Sequence, residues 1–137
     1  MKFLLKILLI SYCYTAIAGL FDNETKVRQF VCDQATGKQI KNEFLEVTYV
    51  IEKNTVFSKT EIVSQGKVVG RTLDKLEACN VIDKSNWKCG GENSRYPNGS
   101  FIQYSIHQVV NGKYSHLPRL IDHKPESDVF CKYEQIN

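Results

Sequence analysis

The sequence predicts a small, mainly β domain, an antiparallel sheet or meander folded into a compact barrel-like or sandwich form, with one short helix and two disulfide staples. Three observations predict it: apolar and polar residues alternate with period two in several short segments, turn dipeptides separate those segments, and the cysteines are even in number once a leader is removed. The leader is residues 1–18. Lys2 and Lys6 supply a basic start without an acid, residues 7–14 are apolar, and Ala16 and Ala18 are the small residues a signal peptidase requires. Cleavage is therefore expected before Gly19, leaving residues 19–137 as one exported domain. The apolar run is too short for the roughly 20 residues of a membrane-spanning helix, so no stable anchor is expected after cleavage.

Residues 26–33 are rich in β-branched and aromatic side chains and read as a first strand, followed by turn chemistry at 35–38. In residues 46–52, Val47, Tyr49 and Ile51 alternate with mainly polar neighbours, the pattern of a half-buried strand. Lys53-Asn54 turns the chain into a strand over 55–64, and Gln65-Gly66 turns it again towards 67–70, which makes an antiparallel meander. Residues 72–78 are the one stretch expected to be helical. Thr72 can cap it, with Lys75 where a capping box would place an acid.

Residues 79–89 read as a hairpin folded about Lys84, which would oppose Cys79 to Cys89 and Val81 to Trp87. Residues 90–100, with three glycines and Pro97, read as a long loop of the kind that is mobile or binds. A strand is expected over 101–110, with Ile102, Tyr104, Ile106 and Gln108 on one face. Asn111-Gly112 is the strongest hairpin signal in the chain and returns it through 113–117. Residues 118–127 look irregular, and 129–133 close the domain as a short strand.

Five cysteines become four when Cys13 leaves with the leader. In an exported chain these predict two bridges, and of the three possible pairings the favoured one joins Cys79 to Cys89, across the hairpin, and Cys32 to Cys131, which closes most of the domain. Removing Lys2 and Lys6 from the 18 basic residues leaves 16 against 15 acidic ones. So even a balance offers little pull on a polyanion, and no nucleic-acid partner is expected.

No cofactor or metal signature stands out. His107, His116 and His123 are the only histidines, and their spacing matches no compact zinc pattern. No Gly-x-Ser-x-Gly elbow is present, and the acidic residues are scattered. Asn23-Glu24-Thr25 and Asn98-Gly99-Ser100 match the N-glycosylation tripeptide. Arg95, Tyr96, Tyr104 and Tyr114 fall in or near the long loop and the hairpin after it, and Tyr and Arg are the residues that anchor protein interfaces. The expectation is a secreted or periplasmic protein-binding module, an inhibitor or immunity-type protein that neutralises a hydrolase or toxin outside the cytoplasm. The alternative is a small secreted hydrolase, such as a ribonuclease, using His107 or His116 as acid or base.

Overall fold

The computed structural model describes residues 24–126 and 129–137. The leader and its cleavage site lie outside the described residues. Thirteen strands and no helix make up the described chain. A five-stranded antiparallel sheet holds, in chain order, β1 (Glu24–Cys32), β2 (Gln39–Glu52), β3 (Thr55–Ser64), β4 (Lys67–Lys75) and the last strand, β13 (Phe130–Gln135). β1 lies between β13 and β2, and β3 and β4 follow as a meander. A second sheet orders β10 (Lys113–Leu117), β9 (Ile106–Val110), β6 (Asn86–Gly90) and β5 (Cys79–Asp83) side by side. The third and smallest combines β7 (Asn93–Arg95), β8 (Phe101–Gln103), β11 (Leu120–Ile121) and β12 (Lys124–Pro125).

The two larger sheets share one core. Val27, Val47, Tyr49 and Val56 on the first face Trp87, Cys89 and Val109 on the second. These are alternate positions on their strands, so the period-two pattern in the sequence is the pattern of burial. Burying side chains of this size contributes about 1.5 to 3 kcal/mol each before the entropy of ordering them is subtracted. The Trp87 ring adds the largest area. Its Nε1–H is the one buried side-chain polar atom among the described residues with no hydrogen-bond partner, and this reduces what the ring contributes.

Both bridges form between the expected cysteines. Cys32 and Cys131 join the ends of the neighbouring strands β1 and β13, with Cα atoms 5.7 Å apart, and Cys79 and Cys89 are opposed across β5 and β6 at 4.0 Å. Val81 opposes Trp87 in the same hairpin, as the spacing predicts. Two intramolecular bridges are compatible with an oxidising compartment, extracellular or periplasmic.

Three expectations need correction. Residues 72–78 are not helical: Thr72, Leu73 and Asp74 pair with Thr60, Lys59 and Ser58, extending β4 along the open edge of β3. A weak helical preference with an incomplete cap loses to a ladder of backbone hydrogen bonds. The single strand over 101–110 is two strands in different sheets, broken at Tyr104-Ser105, where Tyr104 N–H donates to the Glu92 carbonyl at 3.0 Å. The break resets the alternation: Ile102 and Val109, which an unbroken strand would place on opposite faces, are both buried. The loop over 90–100 contains β7, and only residues 96–100 connect it to β8, closed by Tyr96 N–H to the Ser100 carbonyl at 3.0 Å. The structure also extends β2 back to Gln39 and places the short pair β11–β12 within residues expected to be irregular.

Removing Cys32–Cys131 by a double Cys→Ala substitution is expected to lower unfolding stability by about 4 to 5 kcal/mol, against roughly 3 kcal/mol for Cys79–Cys89, because the closed loops span 99 and 10 residues. Urea unfolding of the two double variants checks the order. An equal loss, or a larger loss for the short loop, would show that chain entropy does not set the contribution.

Candidate functional site

At one end of the core, side chains with polar heads replace the aliphatic ones. On the first sheet, Gln29 lies two residues from Val27 and pairs across the ladder with Tyr133, and Tyr49 lies two residues from Val47. On the second sheet, His107 pairs with His116 across the hairpin that Asn111 and Gly112 close. Both hairpin residues have positive φ, 50° and 78°, so this is the type I′ geometry for which Asn-Gly is favoured. That turn fixes the register and hence the histidine pair.

Three polar atoms form a closed triangle between the sheets. The Tyr49 hydroxyl is 3.2 Å from His107 Nδ1 and 3.2 Å from the Tyr114 hydroxyl, and the Tyr114 hydroxyl is 2.9 Å from His107 Nδ1. With the His107 proton on Nε2, Nδ1 accepts from a hydroxyl and the ring is held in one orientation. From there the rings continue outwards: His107 packs on His116 at 4.8 Å between centroids, and His116 stacks on Tyr133 at 4.5 Å. Inwards, Tyr49 contacts Trp87 at 5.4 Å.

Burial, foremost, pushes the Tyr49 hydroxyl up to about 12, only partly offset by its hydrogen bond to Tyr114. Tyr114 is also raised above the ordinary phenol value, first by burial and then by repulsion from Tyr49. Neither hydroxyl is a phenolate base near neutral pH. Their role there is to donate and accept within the triangle.

Two cavities flank the Tyr104-Ser105 break. One of about 420 Å³ has His116, Tyr133 and Gln29 in its wall, and Arg119 and Glu126 line it as well. The other, about 520 Å³, is lined by His107 with Glu77 and Glu92. Gly90 makes the arrangement possible: its φ is +91°, and a Cβ there would run into the Ser105 carbonyl oxygen. The two imidazoles thus form a partition, with one ring on each cavity.

Of the residues expected at an interface, Tyr96 and Tyr104 are 49% and 43% exposed. Arg95 is exposed, with its guanidinium 5.7 Å from the centre of the Phe101 ring and Nη1 donating to the Gly99 carbonyl at 3.4 Å. Tyr114 is placed apart from them, half-buried in the triangle. His123, in the β11–β12 turn, stacks at 4.9 Å on Phe101, the ring that Arg95 also approaches. Among the described residues, no three His, Cys, Asp or Glu side chains group as metal ligands.

Sequence reasoning did not single out Gln29, Tyr133, Arg119 or Glu126. Arg119 grips Glu126 through two bonds of 2.7 Å, Nε to Oε2 and Nη2 to Oε1. The guanidinium is held above its ordinary value first by that hydrogen-bonded carboxylate, with smaller contributions from Tyr96 and Tyr104, which lie near it. A seven-residue spacing about a tight turn is a weak signal for such a pair, and nothing local predicts the tyrosines beside it. Comparison with protein-family models, curated proteins and solved structures finds no match to the chain.

The raised Tyr49 value has a consequence in alkali. Between pH 10 and about 12 the unfolded chain has released the Tyr49 proton while the folded chain retains it, so stability falls as pH rises through that window and is unaffected below it. The expected loss from Tyr49 alone is on the order of 2 to 3 kcal/mol by pH 12. Urea unfolding from pH 9 to 12 checks this, with Tyr49→Phe flattening the profile. Parallel profiles for the two proteins would remove Tyr49 as the cause.

Proposed function

We propose that this protein is an exported protein-binding module, an inhibitor or immunity-type protein that neutralises a hydrolase or toxin outside the cytoplasm. The observation behind this reading is the grouping of Tyr96, Tyr104 and Arg119 on the small third sheet and its connections. Tyr104 and Arg119 line one cavity together, and Tyr96 is a second exposed tyrosine near Arg119. Tyrosine and arginine combine large contact area with polar heads, and they dominate the energetics of protein interfaces.

Arg95 and Tyr96 extend the same reading along the third sheet: they lie at the β7–β8 connection, while Tyr104 lies opposite Glu92 at the other end of that strand pair. The connection at 96–100 is short and closed by its own backbone hydrogen bonds, so less ordering entropy opposes binding than in a free loop. The core lies between the other two sheets, which leaves this region free to be shaped by a partner's surface.

A second reading is a small secreted hydrolase such as a ribonuclease, and the paired rings of His107 and His116 favour it. Each imidazole lies on a cavity, where it could exchange a proton with a substrate. The near-even charge of the exported chain argues against a polyanionic substrate.

Affinity capture with the exported protein, run beside the Arg95→Ala/Tyr96→Ala variant and followed by assays on RNA and peptidoglycan, separates the two. The module reading expects the variant to lose at least about 2 kcal/mol of binding, roughly thirtyfold, with unfolding stability nearly unchanged. Undiminished binding by the variant, together with a hydrolysis that His107→Ala or His116→Ala abolishes, would replace the module by the enzyme.

A further inference from the structure

We infer that the cavity of about 420 Å³ between His116 and Arg119 is a binding site for a neutral saccharide. The inference goes beyond the protein-binding reading and does not depend on it. The volume falls within the range of roughly 300 to 1,000 Å³ typical of sites for small ligands.

The chemistry of the wall selects the ligand class. Tyr104, Phe130, Tyr133 and His116 line the cavity with aromatic side chains, His116 and Tyr133 being stacked on each other, and Gln29, Ser105, Arg119 and Glu126 add polar ones. An aliphatic chain or sterol is poorly matched, because amide, hydroxyl and charged groups interrupt any apolar track and would lose hydration without gaining a partner. A phosphate or carboxylate is poorly matched too. The Arg119 guanidinium already spends two donors on Glu126, so the pair presents almost no net charge. The same pairing blunts Glu126 as a seat for a cation.

A neutral sugar ring satisfies all of these conditions. Its axial C–H face is apolar and flat enough to rest on an aromatic ring, while its rim of hydroxyls both donates and accepts. Ser105 offers a hydroxyl, Glu126 acceptor oxygens and Arg119 further donors, with the Gln29 amide behind them, so sugar hydroxyls can meet complementary groups. Gln29 is 8% exposed and is held by Tyr49 and Tyr114, so one end of the site is rigid. Binding rather than cleavage is the expected outcome. Glycoside hydrolysis commonly uses two carboxyl groups flanking the bond, and Glu126 is the only carboxylate in this wall among the described residues.

Saturation-transfer NMR on the disulfide-bonded protein tests this with cellotriose, maltotriose and tri-N-acetylchitotriose as neutral probes. Trigalacturonic acid serves as the anionic probe and N-acetyltyrosine amide as the aromatic one. The expected result is transfer to the ring C–H protons of at least one neutral trisaccharide at millimolar concentration, stronger than to either other probe. Tyr104→Ala should weaken that binding roughly tenfold, and Tyr104→Phe should restore most of it. Glu126→Gln frees the charge of Arg119 and should move the preference towards trigalacturonic acid. Tyr104 is exposed, and the far-ultraviolet spectrum of each variant confirms that it folds. Transfer to none of the neutral probes would overturn the inference, as would tighter binding of trigalacturonic acid to the unaltered protein or indifference to Tyr104→Ala. Transfer to N-acetyltyrosine amide alone would overturn it and give the cavity to an aromatic side chain of a protein partner.

Discussion

A buried hydroxyl must find a partner, and at Tyr49 that requirement organises one end of the molecule. The ring is 2% exposed and lies between the two larger sheets, where an unpaired hydroxyl would cost about 1 to 3 kcal/mol. From the second sheet the requirement is met by His107 and Tyr114, which the register of β9 and β10 brings to the same point. Once His107 is held, the stack through His116 to Tyr133 follows, and with it the wall of the smaller cavity. The aliphatic half of the core drives the sheets together by area alone, without direction. The triangle of polar atoms adds direction, since it closes in one alignment of the sheets.

The two bridges act on different parts of this arrangement. Cys32–Cys131 ties the final strand to the first and so sets β13, which carries Tyr133, beside Gln29. Cys79–Cys89 holds the hairpin that carries Trp87 and delivers Gly90 to its close approach with Ser105. With the core enclosed by two sheets and both bridges outside the third, the third sheet is left with its exposed tyrosines and the Arg119–Glu126 pair.

What was legible in the sequence followed from local rules. Period two exposed Val47, Tyr49 and Ile51 as one face, Asn111-Gly112 announced a two-residue turn, and the ten-residue spacing of Cys79 and Cys89 implied their register. Where the reading failed, tertiary pairing overrode a local preference. Residues 72–75 became strand because β3 offered an open edge, and the segment from Phe101 to Val110 changed sheets at Tyr104 because Gly90 let another backbone approach. Residues 39–45 lack alternation because their side chains are largely exposed, so a strand there left little trace. The candidate site was legible only in fragments. His107 and His116 could be paired through the hairpin, whereas Gln29, Tyr49 and Tyr133 join them from strands far away in sequence, and no local pattern records that meeting.

Tyr49 and Tyr114 act as a unit to align the two sheets. A double-mutant cycle with Tyr49→Phe and Tyr114→Phe, followed by urea unfolding at neutral pH, measures that coupling directly. Phenylalanine keeps the ring area and removes only the hydroxyl. The account predicts a coupling energy of about 0.5 to 3 kcal/mol, the range for residues sharing one buried network. Losses that add to within about 0.3 kcal/mol would contradict it, leaving the sheets aligned by aliphatic packing and the disulfides alone.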